Sequence, residues 1–217
     1  MGVLTAHHLQ PPPVALLSVT GITTYRHPFF NSSTLLTPKP IEDAEVAHLL
    51  SDPTTVVGVA AEGGDRTVFS VDMLLPSGNK NLDYVMPPRP TTQVTEPADS
   101  EISREMLYDY YLYKNDFVRL VGDVDPGFEW ASTEAGKDKL KSWPPTIIIQ
   151  GNDDFDVDLK VSTHMVDCLG EDTVKIFIAE GQGHRFEQTK FLEDDDPGMD
   201  SVRNAVECLD KVIAAIP

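Results

Sequence analysis

Residues 144–157, PPTIIIQGNDDFDV, decide the fold of this chain. A largely apolar run at 146–150 is bounded by prolines before it and by a glycine and an acidic cluster after it. Such a run is typical of a strand buried in a parallel sheet. Residues 174–179, VKIFIA, have the same character, and a helical pattern at 159–169 separates the two runs. Strand, helix and strand of this length form a βαβ unit, which predicts a parallel sheet and the α/β fold class.

Further elements are predicted on both sides of this unit. Residues 14–19, VALLSV, are another continuous apolar run, and we expect a strand that is buried on both faces. Residues 1–10 are predicted to be the end of a helix that the prolines at 11–13 stop. In residues 200–216 the apolar positions recur mostly every three or four residues, which predicts a closing helix.

The middle of the chain, residues 27–142, is rich in proline and poorly periodic. Its predicted elements are two helices and one strand, at residues 41–50, 102–121 and 67–75. A βαβ fold does not need an insertion of about a hundred residues, and loops of that length are usually functional or disordered. We therefore predict a core of parallel strands with flanking helices, formed by residues 1–26 and 143–217, and a large irregular cap or lid at 27–142.

Composition excludes several classes of partner. The 217 residues carry a formal net charge of −18, so phosphate backbones and anionic membranes would repel the chain. No apolar stretch approaches the ~20 residues that a membrane span needs. The two cysteines, Cys168 and Cys208, fit no zinc or redox spacing, and we expect neither a cofactor nor a metal. Without a signal-peptide pattern, the expected compartment is the cytoplasm, with no nucleic-acid or membrane partner.

The acidic cluster after the strand at 146–150 contains a candidate catalytic acid, Asp154. Active sites of parallel sheets form beyond the carboxyl ends of the strands. A carboxylate in that position can orient an imidazole and stabilise its protonated form. The alternatives are a solvated acidic turn or an N-cap for the helix that follows.

A candidate base, His184, follows the next predicted strand in a loop framed by Gly181 and Gly183. Glycines permit backbone conformations that expose a side chain. Imidazole changes charge near neutral pH, which suits a general base that later returns its proton. A loop histidine with an ordinary hydrogen bond is the alternative. Because adjacent parallel strands deliver first an acid and then a base to one sheet edge, an acid–base pair is favoured.

The segments PPTIIIQGNDDFDV (144–157) and VKIFIAEGQGHRFE (174–187) resemble the acid and histidine segments of α/β-hydrolases, especially the carboxylesterase and lipase-like branch. The segment VLTAHHLQPPPVALLSVTGI (3–22) resembles the helix after that family's nucleophile elbow and the next strand. The resemblance covers residues 1–30 and 143–217 and implies a partial α/β-hydrolase fold with a variable cap. It also implies a serine hydrolase that acts on a small-molecule carboxylic ester.

The resemblance assigns a role to particular residues. The family's acid, three residues after the glycine that ends its strand, maps onto Asp154 in preference to Asp153 or Asp156. The family's histidine maps onto His184, and the aromatic residue two positions later maps onto Phe186. Phe186 is therefore a candidate for the substrate pocket.

The chain departs from the family pattern at the nucleophile. Gly-x-Ser-x-Gly does not occur in its 217 residues, and neither does the family's oxyanion-hole loop. Met1 and Gly2 align with the last two positions of that motif, so the expected nucleophile precedes Met1. Arg185 stands where the family usually has a small residue. We therefore expect a truncated, inactive C-terminal portion of an ester hydrolase.

Two alternatives to the inactive hydrolase remain open: a non-catalytic ligand-binding or interaction protein on the hydrolase scaffold, and a fragment without independent function. Tyr110 and Tyr113, on the predicted helix at 102–121, are candidates for lining a substrate pocket, although packing of the cap onto the sheet would also explain them. Loss of preceding strands would leave 14–19 as an apolar edge, through which the chain would self-associate.

Overall fold

The computed structural model describes residues 2–31, 40–51, 105–188 and 190–215. In chain order its helices and strands are α1 (Gly2–Ala6), β1 (Leu16–Val19), α2 (Asp43–Leu50), α3 (Glu105–Tyr113), α4 (Phe117–Val121), α5 (Lys137–Lys141), β2 (Thr146–Gly151), α6 (Leu159–Leu169), β3 (Val174–Ala179) and α7 (Met199–Ala214). The chain forms two compact units, one comprising Met1–Thr34 and Asn115–Pro217 and the other Leu35–Lys114. The predicted insertion at 27–142 therefore contains the whole second unit and two segments of the first, residues 27–34 and 115–142.

The first unit contains a three-stranded parallel sheet in the order β1-β2-β3. Thr146 at the start of β2 pairs with Leu16 of β1 on one side and with Val174 of β3 on the other. β2 is the central strand, and every one of its residues is buried. The predicted parallel sheet and the α/β class are confirmed.

The side chains of β2 alternate between two hydrophobic layers, as the pleat of a strand requires. Ile147 and Ile149 pack into one layer, to which α7 contributes Met199, Val202 and Ala205. Ile148 packs into the other layer, whose further buried members include Val3, Ala6, Phe128, Trp143, Met165 and Leu169. Helices thus cover both faces of the central strand, which explains why its sequence is apolar without alternation.

The predicted βαβ unit is confirmed almost to the residue. The helix at 159–169 and the strand at 174–179 have the predicted bounds, and the strand predicted at 146–150 continues to Gly151. The closing helix, predicted at 200–216, is described as Met199–Ala214. These elements are predictable because their apolar runs are long and turn residues bound each one.

The burial that we predicted for the strand at 14–19 is wrong. The strand begins at Leu16, none of its four residues is fully buried, and Leu17 is 44% exposed. Among the described residues β1 has a neighbouring strand on one side only. An apolar run shows that a segment favours a strand, but it does not show how many neighbours that strand will have.

The single helix that we predicted at 102–121 is also wrong over its described part, which forms α3 and α4 instead. Asn115, between them, has a φ of 54°. This left-handed conformation ends a right-handed helix, and asparagine adopts it more readily than most residues. The predicted strand at 67–75 lies outside the described residues.

In the second unit, α2 packs against α3 through the buried side chains of Ile41, Val46 and Leu49, with Leu107 and Tyr110 against them. The helix predicted at 41–50 is confirmed as Asp43–Leu50, and a capping box between Glu42 and Glu45 caps its N-terminus. In the described ranges of both units, no helix has the length and apolar character that are needed to cross a bilayer.

Candidate active site

Asp154 and His184 meet beyond the carboxyl ends of β2 and β3. Each lies in the loop that follows its strand, and the parallel pairing of the strands brings both loops to the same edge of the sheet. Nδ1 of His184 lies 2.9 Å from Oδ2 of Asp154. The side chain of Asp154 is 0% exposed and that of His184 is 21% exposed. A buried acid therefore contacts a base that reaches solvent.

The carboxylate of Asp154 has hydrogen-bond partners on both oxygens. Oδ1 accepts the backbone N–H groups of Asp156 and Val157, each at 2.9 Å. Oδ2 accepts a side-chain N–H of Gln150 at 2.8 Å, in addition to its contact with His184. An ionised carboxylate only accepts hydrogen bonds, so in that state Nδ1 of His184 donates the proton between them.

The loops that carry Asp154 and His184 are hydrogen-bonded to each other directly. The backbone N–H of Asp153 donates to the carbonyl of Gln182 at 3.0 Å. The side chain of Asn152 accepts the backbone N–H of Gly181 at 2.7 Å and donates to the carboxylate of Glu180. These bonds fix the spacing of the two loops independently of the Asp154–His184 contact.

The second ring nitrogen of His184, Nε2, is available for proton transfer. When Nδ1 carries the proton, Nε2 is unprotonated and can accept one. Within the described ranges, no hydroxyl, thiol or carboxylate forms a hydrogen bond with Nε2. The pair therefore has the geometry of an oriented general base, and the described residues place no nucleophile beside it.

A metal ion would use the same residues in a different way. Ligand atoms of Asp154, Asp156 and His184 lie within 4.8 Å of one another. However, the acceptor positions of Asp154 are already taken by two backbone N–H groups, the amide of Gln150 and the imidazole. A cation would have to displace some of these donors, so the arrangement fits an acid–base pair better than a metal centre.

A cysteine and a histidine also lie close together, on α6, but they do not form a reactive pair. Sγ of Cys168 lies 3.8 Å from Nε2 of His164. Burial, with smaller contributions from the carboxylates of Glu129 and Asp167, raises the pKa of the Cys168 thiol. A raised pKa keeps the thiol protonated, whereas a nucleophilic cysteine needs the thiolate.

Two cavities of the first unit lie at the opposite edge of the sheet. One, of about 450 Å³, is lined in part by Pro145 and Thr173, which precede β2 and β3. The other, of about 380 Å³, is lined in part by His7, Lys139 and Trp143. Because these cavities open at the amino ends of the strands, neither one adjoins the Asp154–His184 pair.

The three predicted pocket residues lie in both units. Phe186, in the first unit, is partly buried and packs against the layer that contains Ile147 and Ile149. Tyr110, in the second, packs against α2 and donates its hydroxyl proton to Asp43 at 3.2 Å. Tyr113 lies near Lys114, and the Nζ of Lys114 is 5.7 Å from the centre of the Tyr113 ring. Their role in a substrate pocket stays a prediction.

Sequence reasoning missed three polar residues that hold loops in place. Gln150 supports Asp154 from β2, and Asn152 connects the two loops. Asp125 is fully buried, and its carboxylate accepts hydrogen bonds from the backbone N–H groups of Tyr25 and Gly127. A polar residue at the end of an apolar strand was a visible signal for Gln150, whereas Tyr25, one of the partners of Asp125, lies 100 residues away in sequence.

Comparisons with known proteins identified no relative of this chain. No family model matches it, and no curated protein or solved structure matches it significantly.

Proposed function

We propose that Asp154 and His184 are the acid and base of a carboxylic-ester serine hydrolase site on an α/β-hydrolase type of sheet, and that this chain does not hydrolyse esters by itself. The observation that carries this proposal is the 2.9 Å contact between Nδ1 of His184 and Oδ2 of Asp154. The contact forms between consecutive parallel strands, with the acid before the base in sequence. It lies at the sheet edge where α/β active sites form.

The expected chemistry follows from the two nitrogens of His184. In a complete site, a serine Oγ would attack the ester carbonyl while Nε2 of His184 takes the hydroxyl proton. The carboxylate of Asp154 would stabilise the imidazolium through Nδ1. Nε2 would then give its proton to the departing alkoxide, which leaves as the alcohol. Water, activated by the same nitrogen, would release the acid and restore the serine.

The expected inactivity follows from the absence of a nucleophile motif. Gly-x-Ser-x-Gly does not occur in the 217 residues. Sites of this kind that lose one member of the triad keep a residual rate of about 10³–10⁴-fold over water, which comes from the oxyanion hole and substrate binding. Since the family's oxyanion-hole loop is not found in the sequence either, we expect no rate above the uncatalysed reaction.

Hydrolysis of p-nitrophenyl butyrate by the purified chain tests the claim of inactivity. We expect the wild type and His184→Ala to show the same rate, and neither to react with a fluorophosphonate that labels activated serines. A wild-type rate above that of His184→Ala, together with fluorophosphonate labelling, would overturn the claim of inactivity. Saturable binding of the ester without turnover and without any effect of His184→Ala would instead support a ligand-binding protein.

Orientation of His184 is tested separately by NMR. We expect a low-field proton resonance from the imidazole Nδ1–H in the wild type, because a proton shared with a buried carboxylate is strongly deshielded. The resonance should be absent in His184→Ala and in Asp154→Ala. If the folded wild type has no such resonance while its other ring protons are visible, the acid–base pair does not exist in solution and the proposal fails.

A further inference from the structure

Gln150 is a polar residue in an otherwise apolar part of the central strand. It follows three consecutive isoleucines of β2 and has an exposed fraction of 0%. Burial of a primary amide is unfavourable unless its polar atoms find partners. Gln150 has a partner for each of them, so the environment of this side chain is specific.

The hydrogen bonds of Gln150 join three separate parts of the first unit. Its amide nitrogen donates to Oδ2 of Asp154 at 2.8 Å and to the carbonyl of Val157 at 2.9 Å. Its amide oxygen accepts the hydroxyl proton of Ser162, in α6, at 3.2 Å. Ser162 is also fully buried. The strand, the acid loop and the helix after it are therefore connected through one side chain.

This connection restricts the orientation of the Asp154 carboxylate. The backbone N–H groups of Asp156 and Val157 hold Oδ1, and Gln150 holds Oδ2, so rotation about the Cβ–Cγ bond would break three hydrogen bonds. The lone pair of Oδ2 that remains is directed at Nδ1 of His184. Both amide protons of Gln150 take part in these hydrogen bonds. If its side chain turned away from Asp154, the carbonyl of Val157 would also lose its hydrogen bond from Gln150.

We propose that Gln150 is the positioning residue of the Asp154–His184 pair: by donating to Oδ2, it sets the direction in which the carboxylate accepts the imidazole proton. Gln150 acts through Asp154 and forms no hydrogen bond with His184, so it is not a catalytic residue. This inference rests on the proposed function, in which the orientation of His184 matters. It adds that the orientation is determined from inside the sheet, by a residue of the central strand, as well as by the two loops.

The test compares isotopically labelled wild type with Gln150→Met and Ser162→Ala. Methionine has nearly the size of glutamine but donates no hydrogen bond, and alanine at 162 removes a bond of the same network that does not involve Asp154. We expect the low-field Nδ1–H resonance of His184 to be lost or broadened in Gln150→Met and retained in Ser162→Ala. Retention of the resonance in folded Gln150→Met would overturn the inference.

Gln150→Glu serves if the methionine variant does not fold. Glutamate keeps the size of the side chain and the bond from Ser162, but when ionised it presents only acceptors to Oδ2 of Asp154, so loss of the resonance is expected at a pH at which both carboxyl groups are ionised. In the wild type, slow solvent exchange of the Gln150 side-chain amide protons, which becomes fast in Asp154→Ala, provides a measurement without any change at position 150. Fast exchange in the wild type would overturn the inference even if neither variant folds.

The outcomes separate this inference from the proposed function. If the wild type has no low-field resonance, the acid–base pair fails, and the role of Gln150 fails with it. If the wild type has the resonance and both folded Gln150 variants keep it, the pair stands and only the positioning role is removed.

Discussion

Gly151 lies so close to Gln182 that a Cβ built on it would be 2.0 Å from the carbonyl oxygen of Gln182. The obstacle is backbone, which cannot swing aside as a side chain would. The contact occurs where the loop of Asp154 meets the loop of His184, since Asp153 donates to the same oxygen. Only a residue without a side chain therefore allows the two loops to approach closely enough for the acid–base contact.

Gly151→Ala should displace the histidine loop. We expect a loss of about 1–3 kcal/mol in the free energy of unfolding, typical of overpacking, and loss of the low-field His184 resonance. Gly183→Ala is the matched control, because the nearest atom to its added Cβ is 3.7 Å away, an ordinary contact. Urea unfolding and proton NMR of both variants check this prediction. Equal effects of the two substitutions would contradict it.

Asp154→Ala should destabilise the protein far more than Asp153→Ala. Removing the carboxylate of Asp154 leaves the donors of Gln150, Asp156 and Val157 without that acceptor, and the donors of Gln150 and Val157 are buried. We expect a loss of about 2–4 kcal/mol, whereas alanine at the exposed position 153 should change stability by no more than about 0.5 kcal/mol. Denaturant midpoints at neutral pH measure both. Similar midpoints for the two variants would show that the network around Asp154 is not formed.

Protonation of His7 should oppose folding. Its ring lies 4.7 Å from that of Trp143, and burial, followed by the charge of Lys139, lowers the pKa of His7 from 6.5 to about 4. Between pH 6.5 and pH 4 the unfolded chain therefore binds a proton that the folded chain does not. The stabilisation that comes from neutral His7 is complete above pH 6.5 and is lost as the pH falls through this window.

A comparison of wild type with His7→Leu isolates the pH-dependent contribution of His7 to stability. Leucine does not titrate, and all other titratable groups are the same in the two proteins. Between pH 7 and pH 4.5, the wild type should lose about 1–2 kcal/mol more stability than the variant, after allowance for solvent screening of a partly exposed ring. Urea unfolding at several pH values provides the measurement. Parallel pH dependences for the two proteins would contradict the assigned shift.

The edge of β1 that has no neighbouring strand among the described residues should promote self-association. The first 25 residues of the sequence contain no Asp, Glu, Lys or Arg, and Leu17 on this strand is 44% exposed. β3, at the other side of the sheet, carries the exposed Lys175. Charged side chains, especially lysine, are a common means of preventing edge strands from pairing with other chains.

Sedimentation velocity over a range of concentrations tests this difference between the edges. We expect the wild type to associate with increasing concentration, Leu17→Lys to remain mainly monomeric, and Lys175→Leu to associate more strongly than the wild type. Circular dichroism would verify that all three have the same secondary structure. A wild type that stays monomeric at every concentration would remove the edge of β1 as an association site.

The βαβ unit shows how much of the fold the local sequence pattern predicts. The bounds of α6 and β3 could be predicted directly from the sequence. A buried strand leaves a short continuous apolar run, whereas a helix that is buried on one face leaves a periodic apolar stripe. The prediction for residues 102–121 failed, since the apolar stripe continues past Asn115 while the backbone at Asn115 turns left-handed. Periodicity indicates which side chains can be buried together. It does not show that the backbone conformation of a single residue ends the helix.

For the candidate site, the sequence by itself determined the residue types and their order: an acid after one apolar strand, then a histidine after the next. Only the tertiary structure decided that Asp154 and His184 lie in contact although they are 30 residues apart. It also decided that Gln150 supports the acid and that Gly151 leaves space for Gln182. The physical reason is that strand propensity and burial act locally along the chain, whereas hydrogen bonds between loops depend on strand pairing, which brings distant residues together.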